Sequence, residues 1–225
     1  MKILKQTIAA ASLAVAGIAA TPLAAQVSGN IAVVNPPATI AGSSALSTAY
    51  QQINTTYAAQ ITQAQQKQQQ AQALLQQLDT NNDGNLDQAE QQAAQTAPQA
   101  QQIQTLEREI AQLQNQVDAA RVYAIEQILQ QYGAALQTVV SADNIQVVLS
   151  PEAVAWSNPA TNINQKVVNA LNTRVPSVQI TPPQGWQPSQ QAVGVFQQVQ
   201  QILMVAAARQ QAVAAQQPAA QATGR

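Results

Sequence analysis

The sequence predicts an α+β protein: a long antiparallel α-helical hairpin, a coiled-coil tentacle, projecting from a small β-sheet association body. Three observations carry that expectation. Alanine and glutamine, both good helix formers, dominate a 225-residue chain that is only 3% aromatic and 8% charged. Two long stripes of helical periodicity flank a turn-rich acidic segment, and two short β-branched runs far apart in sequence lie outside those stripes.

The chain opens on what reads as an export signal over residues 1–25. Lys2 and Lys5 give a positive start, Ile8–Ala20 is apolar but too short to span a bilayer, and Ala24-Ala25 are small residues of a cleavage site. Without Lys2 and Lys5 the net charge falls from −1 to about −3. Phosphate binding needs a basic face, so nucleic acid is not an expected partner. There is no cysteine and no histidine. This closes disulfides, the lipoprotein route, zinc sites and the usual Ser–His–Asp and Cys–His chemistries. No catalytic residue is expected, and the chain reads as a non-enzyme.

The association body is expected from residues 26–43 and 141–175. Gly29–Val34 (GNIAVV) reads as a strand stopped by Asn35-Pro36-Pro37. Ile145–Leu149 (IQVVL) is a second strand, and Ala153–Trp156 (AVAW) is expected to add a third after the Ser150-Pro151 turn. A short helix over Ile163–Leu171 should follow, and Trp156 should lie in the body's core. Such a body has too little apolar material to stand alone, so association of several subunits is the natural remedy.

The hairpin is expected over residues 44–140. Ser44 is placed to cap its first helix, which carries Leu46, Tyr50, Ile53, Tyr57, Ile61, Ala64, Ala71, Leu75 and Leu78 on one stripe. In the second arm, after a kink near Pro98, Ile103, Leu106, Ile110, Leu113, Val117, Ala120 and Ala124 alternate in steps of three and four. That is a coiled-coil seam, and Glu107, Glu109 and Asp118 read as solvated charges on its outside. At 1.5 Å per residue, arms of some thirty residues make a rod of roughly 50 Å. Residues 176–225 form a Pro/Gln/Ala-rich tail: a linker, an amphipathic helix over 190–211, and a disordered end.

This layout resembles the Skp/OmpH-like periplasmic chaperones. The resemblance lies in Ile31–Asn35 (IAVVN), in the Gln/Ala-rich hairpin from Ser44 to about Val140, and in Asn144–Asn172 (NIQVVLSPEAVAWSNPATNINQKVVNALN). It implies a periplasmic homotrimer whose subunits share a small β body. Its helical tentacles would enclose unfolded outer-membrane proteins without ATP. Two departures stand out. The chain is slightly acidic where such proteins are often basic, which speaks against direct membrane binding, and the tail beyond Pro176 is additional.

One motif is sharper. The turn between the arms, residues 79–90, reads DTNNDGNLDQAE and matches a calcium-binding EF-hand-like loop. Asp79, Asn81 and Asp83 occupy positions 1, 3 and 5, and Gly84 makes the sharp turn at position 6. Asn85 offers a carbonyl at 7, Asp87 acts through water at 9, and Glu90 is the bidentate ligand at 12. Four of the ten acidic residues fall within these twelve positions, a clustering that repels unless neutralised. The expected cofactor is therefore Ca2+ or none. The functional reading is a holdase chaperone for unfolded outer-membrane proteins. The alternative is a structural or adaptor coiled coil of the cell envelope whose hairpin is ordered by calcium.

Overall fold

The structure, a computed structural model, describes residues 30–222. The export leader expected over residues 1–25, and positions 26–29 of the body, lie outside the described residues. The order of elements is β1 (Asn30–Val33), α1 (Pro36–Ala41), α2 (Ser44–Thr56), α3 (Ala58–Leu78), α4 (Gln88–Ala94), α5 (Pro98–Ala142), β2 (Ile145–Leu149), α6 (Asn164–Arg174) and α7 (Gln190–Ala222). Among the described residues no helix is long and apolar enough to cross a membrane.

The two distant strands meet as the sequence requires. β1 pairs with β2 in parallel, with Ile31 opposite Val147, Ala32 opposite Val148 and Val33 opposite Leu149. The expected third strand does not form. Pro151 opens a single 3-10 turn over Pro151–Ala153, and Pro159 opens another over Pro159–Thr161. Each proline removes a ladder donor, so the segment loops instead of pairing. The place beside β1 goes to Asn162, which bridges Val33, while the Ile163 N–H donates to the Val33 carbonyl at 3.1 Å. Trp156, expected in the core, rides on this loop and is 83% exposed.

Asn35-Pro36-Pro37 ends the strand and also starts a helix that the strand-stop reading overlooks. The Asn35 side chain caps α1 by accepting the Ala38 N–H at 3.0 Å, and the prolines occupy the first helical positions, where no N–H is missed. The Asn35 N–H in turn donates to the Asn164 side chain at 2.8 Å, tying β1 to α6. The cap of α2 is Ser43, not Ser44: its hydroxyl accepts the Leu46 N–H at 3.3 Å and donates to the Ile40 carbonyl at 2.8 Å. Ser44 is drawn instead to Asn172 of α6, donating through both N–H and hydroxyl.

The first arm divides at Tyr57, whose backbone leaves helical geometry between α2 and α3. The second arm does not kink at Pro98. It breaks there, because Pro98 begins α5 at a position where its missing N–H costs nothing. α5 then runs unbroken for 45 residues, about 68 Å. Ile53 packs with Val117 and Ala120, Lys67 pairs with Glu109 at 2.7 Å, and Ala73 and Leu74 face Pro98 and Gln101 across a groove. Partners descend along α5 as they ascend along α2 and α3, so the arms are antiparallel. The seam residues Ile103, Ile110, Val117, Ala120 and Ala124 are all buried. Glu109 and Asp118 are in ion pairs, with Lys67 and Arg121 respectively. Both pairs are partly exposed and so contribute little to stability.

The main core gathers at the root of the arms. Ile40, Leu46, Ile125, Ile128, Val167 and Leu171 form one cluster from α1, α2, α5 and α6, and α7 adds Val199. That last residue corrects the expectation for the tail. Residues 190–222 are helical, beyond the 190–211 expected, and the first half of α7 is packed on α1 and α5.

Candidate functional site

Two regions carry chemistry: the groove between the arms and the loop at their tip. The groove is open, about 740 Å³, and bordered by Ala73, Leu74, Pro98 and Leu106 with Gln70, Gln101 and Gln102 around them. No charged residue borders it. Such a lining offers apolar contact and amide hydrogen bonds at once, without the desolvation penalty of a buried charge. Nearer the root a second recess of about 410 Å³ lies between Ile61, Ala64, Leu113 and Val117, with Asp118 and Arg121 at its edge.

At the tip, the loop is held by its own acidic side chains. Asp79 accepts the Asp83 N–H at 3.2 Å and the Gly84 N–H at 2.8 Å. Asn81 accepts the Asp83 N–H at 2.9 Å, and Asp83 accepts the Asn85 N–H at 2.8 Å. Asn82 and Gly84 turn the chain through positive φ, 59° and 83°, a conformation that asparagine and glycine tolerate best. Asp87 caps α4 by accepting the Glu90 N–H at 2.9 Å, and Glu90 returns the bond to the Asp87 N–H at 3.0 Å. This is a capping box.

Glu90 is the hub of the loop. It is buried, and besides Asp87 it accepts the Thr80 N–H at 2.7 Å, the Thr80 hydroxyl at 2.8 Å and the Asn81 N–H at 3.1 Å. The Thr80 hydroxyl, then the Asp87 N–H, hold its carboxyl below the usual carboxylate range, against a smaller upward push from burial. The contribution of this hub to stability is therefore present above the ordinary carboxylate range. It is lost as the pH falls through the lowered value.

The six residues expected to bind calcium, Asp79, Asn81, Asp83, Asn85, Asp87 and Glu90, thus lie on one twelve-residue loop in the expected order. In kind and order the donors fit calcium. Yet Glu90 spends both oxygens on N–H and O–H donors, and among the described residues no three acidic side chains converge as a metal cluster. Calcium would have to draw Glu90 away from those donors.

A third cluster, at the root of α5, was not singled out as a site by sequence reasoning. Tyr50 stacks beneath Arg121, whose guanidinium carbon lies 5.8 Å from the ring centre. Burial pushes the Tyr50 hydroxyl up to about 12, with Arg121 pulling the other way. Glu126 accepts the Trp186 indole N–H at 2.9 Å and the Ser189 N–H at 3.1 Å. Burial raises its carboxyl, but the bonds from Ser189 and Trp186 together outweigh that and hold it low. Trp186 is engaged here: its ring meets Tyr123 edge-on at 5.1 Å. A lone tryptophan in a charge-free stretch was the available signal.

The described chain is a mostly helical protein of low charge, with a parallel two-stranded sheet at the root of its long helices and an uncharged groove between α3 and α5. The chain belongs to the outer membrane protein (OmpH-like) family, whose model matches residues 30–171. No curated protein matches the sequence. Among solved structures, the chain is similar to a candidate outer membrane chaperone (OmpH-like) from Caulobacter crescentus CB15. That likeness has 23% identity and a TM-score of 0.39, and covers 69% of this chain and 91% of that one.

Proposed function

We propose that this protein is a non-enzymatic, ATP-independent holdase of the periplasm that binds unfolded outer-membrane proteins among the hairpin arms of a homotrimer. The observation that carries the reading is the groove between α3 and α5. Its apolar and amide lining suits weak contact with many unfolded sequences, and such contacts add up when several arms surround one client. Membership of the OmpH-like family supports the same class of role. The body supports assembly: two strands cannot satisfy both edges of a sheet, and Ile31 on β1 is 43% exposed. With Trp156 also on the outside, the body offers apolar surface for subunit association.

The test is the aggregation of unfolded outer-membrane barrels diluted from denaturant. At one trimer per client, the mature protein is expected to keep several unrelated barrels soluble without nucleotide. Aggregation at the rate seen without it would refute the holdase reading.

The tip loop favours a second reading that can coexist with the first or with a structural coiled-coil role. In it, calcium takes Glu90 from its N–H partners and fixes the geometry of the bend. The pattern of donors supports weak binding, in the range of about 10⁻⁴–10⁻³ M typical of extracellular modules. Millimolar calcium is then expected to raise the melting temperature of the wild type and leave Glu90→Gln unchanged. Superimposable melts of the wild type with and without calcium would retire this reading.

A further inference from the structure

We propose that the C-terminal extension, residues 176–203, is a strap that binds the roots of the two arms to each other and so sets how the hairpin leaves the body. The family match ends at residue 171, so this device lies beyond the part of the chain that the family model describes. The extension carries no charge between Arg174 and Arg209, and it meets the roots at four successive places.

First, Gln179 and Gln127 of α5 exchange two hydrogen bonds. The Gln179 N–H donates to the Gln127 side chain at 3.0 Å, and the Gln127 amide donates to the Gln179 carbonyl at 2.8 Å. Second, Ile180 packs on Ile53, Val117 and Ala120, the cluster in which α2 meets α5. Third, Trp186 and Ser189 close on Glu126, and the indole ring rests against Tyr123. Fourth, α7 buries Ala192 and Val199 completely, and its Gln200 amide donates to the Tyr50 hydroxyl of α2 at 3.3 Å. One uncharged segment therefore touches α5, the α2–α5 seam, α5 again, and then α1 and α5 through α7, with one hydrogen bond to Tyr50 of α2. A merely attached tail would need to touch only one of them.

Glu126 is the positioning residue of the strap. As a carboxylate it accepts two N–H groups that would otherwise have to find water, and such charge-assisted bonds are the stronger kind. Glu126 lies on α5, which itself packs on α2. Trp186 lies on the strap and among the described residues makes no hydrogen bond to α2, so Trp186→Phe is the variant in which a response of α2 reports on the strap.

The test is native-state hydrogen exchange on the full mature chain, comparing the wild type with Glu126→Ala and Trp186→Phe. Glu126→Ala is expected to speed exchange about tenfold in residues 50–56 of α2 and in the facing part of α5, with α6 unchanged, as for the opening of one local unit. Trp186→Phe keeps a ring against Tyr123 and deletes only the N–H, so a smaller rise in the same segments is expected. Faster exchange confined to residues 176–203, with α2 at its wild-type rate, would overturn the proposal. If Glu126→Ala loses helical content outright, Trp186→Phe decides by the same criterion.

Discussion

Ile128→Ala is expected to lower the unfolding free energy by about 2–5 kcal/mol, the range for deleting a large aliphatic side chain from a closed core. Ile128 is fully buried, and its cluster draws on α1, α2, α5, α6 and α7, so the cavity left behind has walls on every side. Ile103 on the same helix gives the contrast. It is also buried, at 8% exposure, but it sits on the seam beside the open groove lined by Gln102, Thr105 and Leu106. There the arms can close part of the gap, so Ile103→Ala should cost less, toward or below about 2 kcal/mol. Urea melts of the two variants read the difference. Equal losses would mean that the arms are packed as tightly as the body, contrary to this structure.

Val199→Asp should have a comparable effect by a different route. Val199 is completely buried where α7 lies on the core. An unpaired carboxylate there is so costly to desolvate that the group must take up a proton or leave the core, and either is destabilising. The protein can avoid that penalty by letting α7 swing off, so the measurable loss is capped by the docking energy of the helix. The expected result is a drop of several kcal/mol in denaturant midpoint analysis, together with protease cleavage within residues 190–203. An uncleaved α7 at wild-type stability would show that the helix is not docked through this face.

The long helices were legible because their signals are local and repeated. The three-four spacing from Ile103 to Ala124 specifies a buried seam whatever it faces, and the structure buries Ile103, Ile110, Val117, Ala120 and Ala124 and half-buries Leu106 and Leu113. The distant strands at Ile31 and Val147 were legible as strands of one small sheet, and they pair in parallel. The acidic loop was legible as a turn from Asn82 and Gly84, and the structure gives both residues the positive φ that such a turn needs. The proposal that it binds calcium rests on the pattern of donors alone.

What was not legible depends on tertiary context. Residues 153–156 have the composition of a strand, but Pro151 and Pro159 remove donors on either side, and Asn162 takes the place beside β1. Trp156 followed its strand out of the core. The tail looks like low complexity because its apolar residues are thinly spread among glutamines and prolines. Its docking depends on Glu126, Gln127 and Tyr50, which lie some 50 to 150 residues away and show no pattern of their own. The helix at Pro36–Ala41 was hidden for a simpler reason: two prolines that end a strand are equally suited to begin a helix.

The central claim is that two long arms stand out from a small body that several chains share. Small-angle X-ray scattering of the purified protein tests this most directly, since it reports mass and shape together. A particle of three chains is expected, with a maximum dimension of at least about 70 Å, set by the length of α5. A single-chain particle with a radius of gyration near about 16 Å, the value for a compact domain of this size, would contradict it.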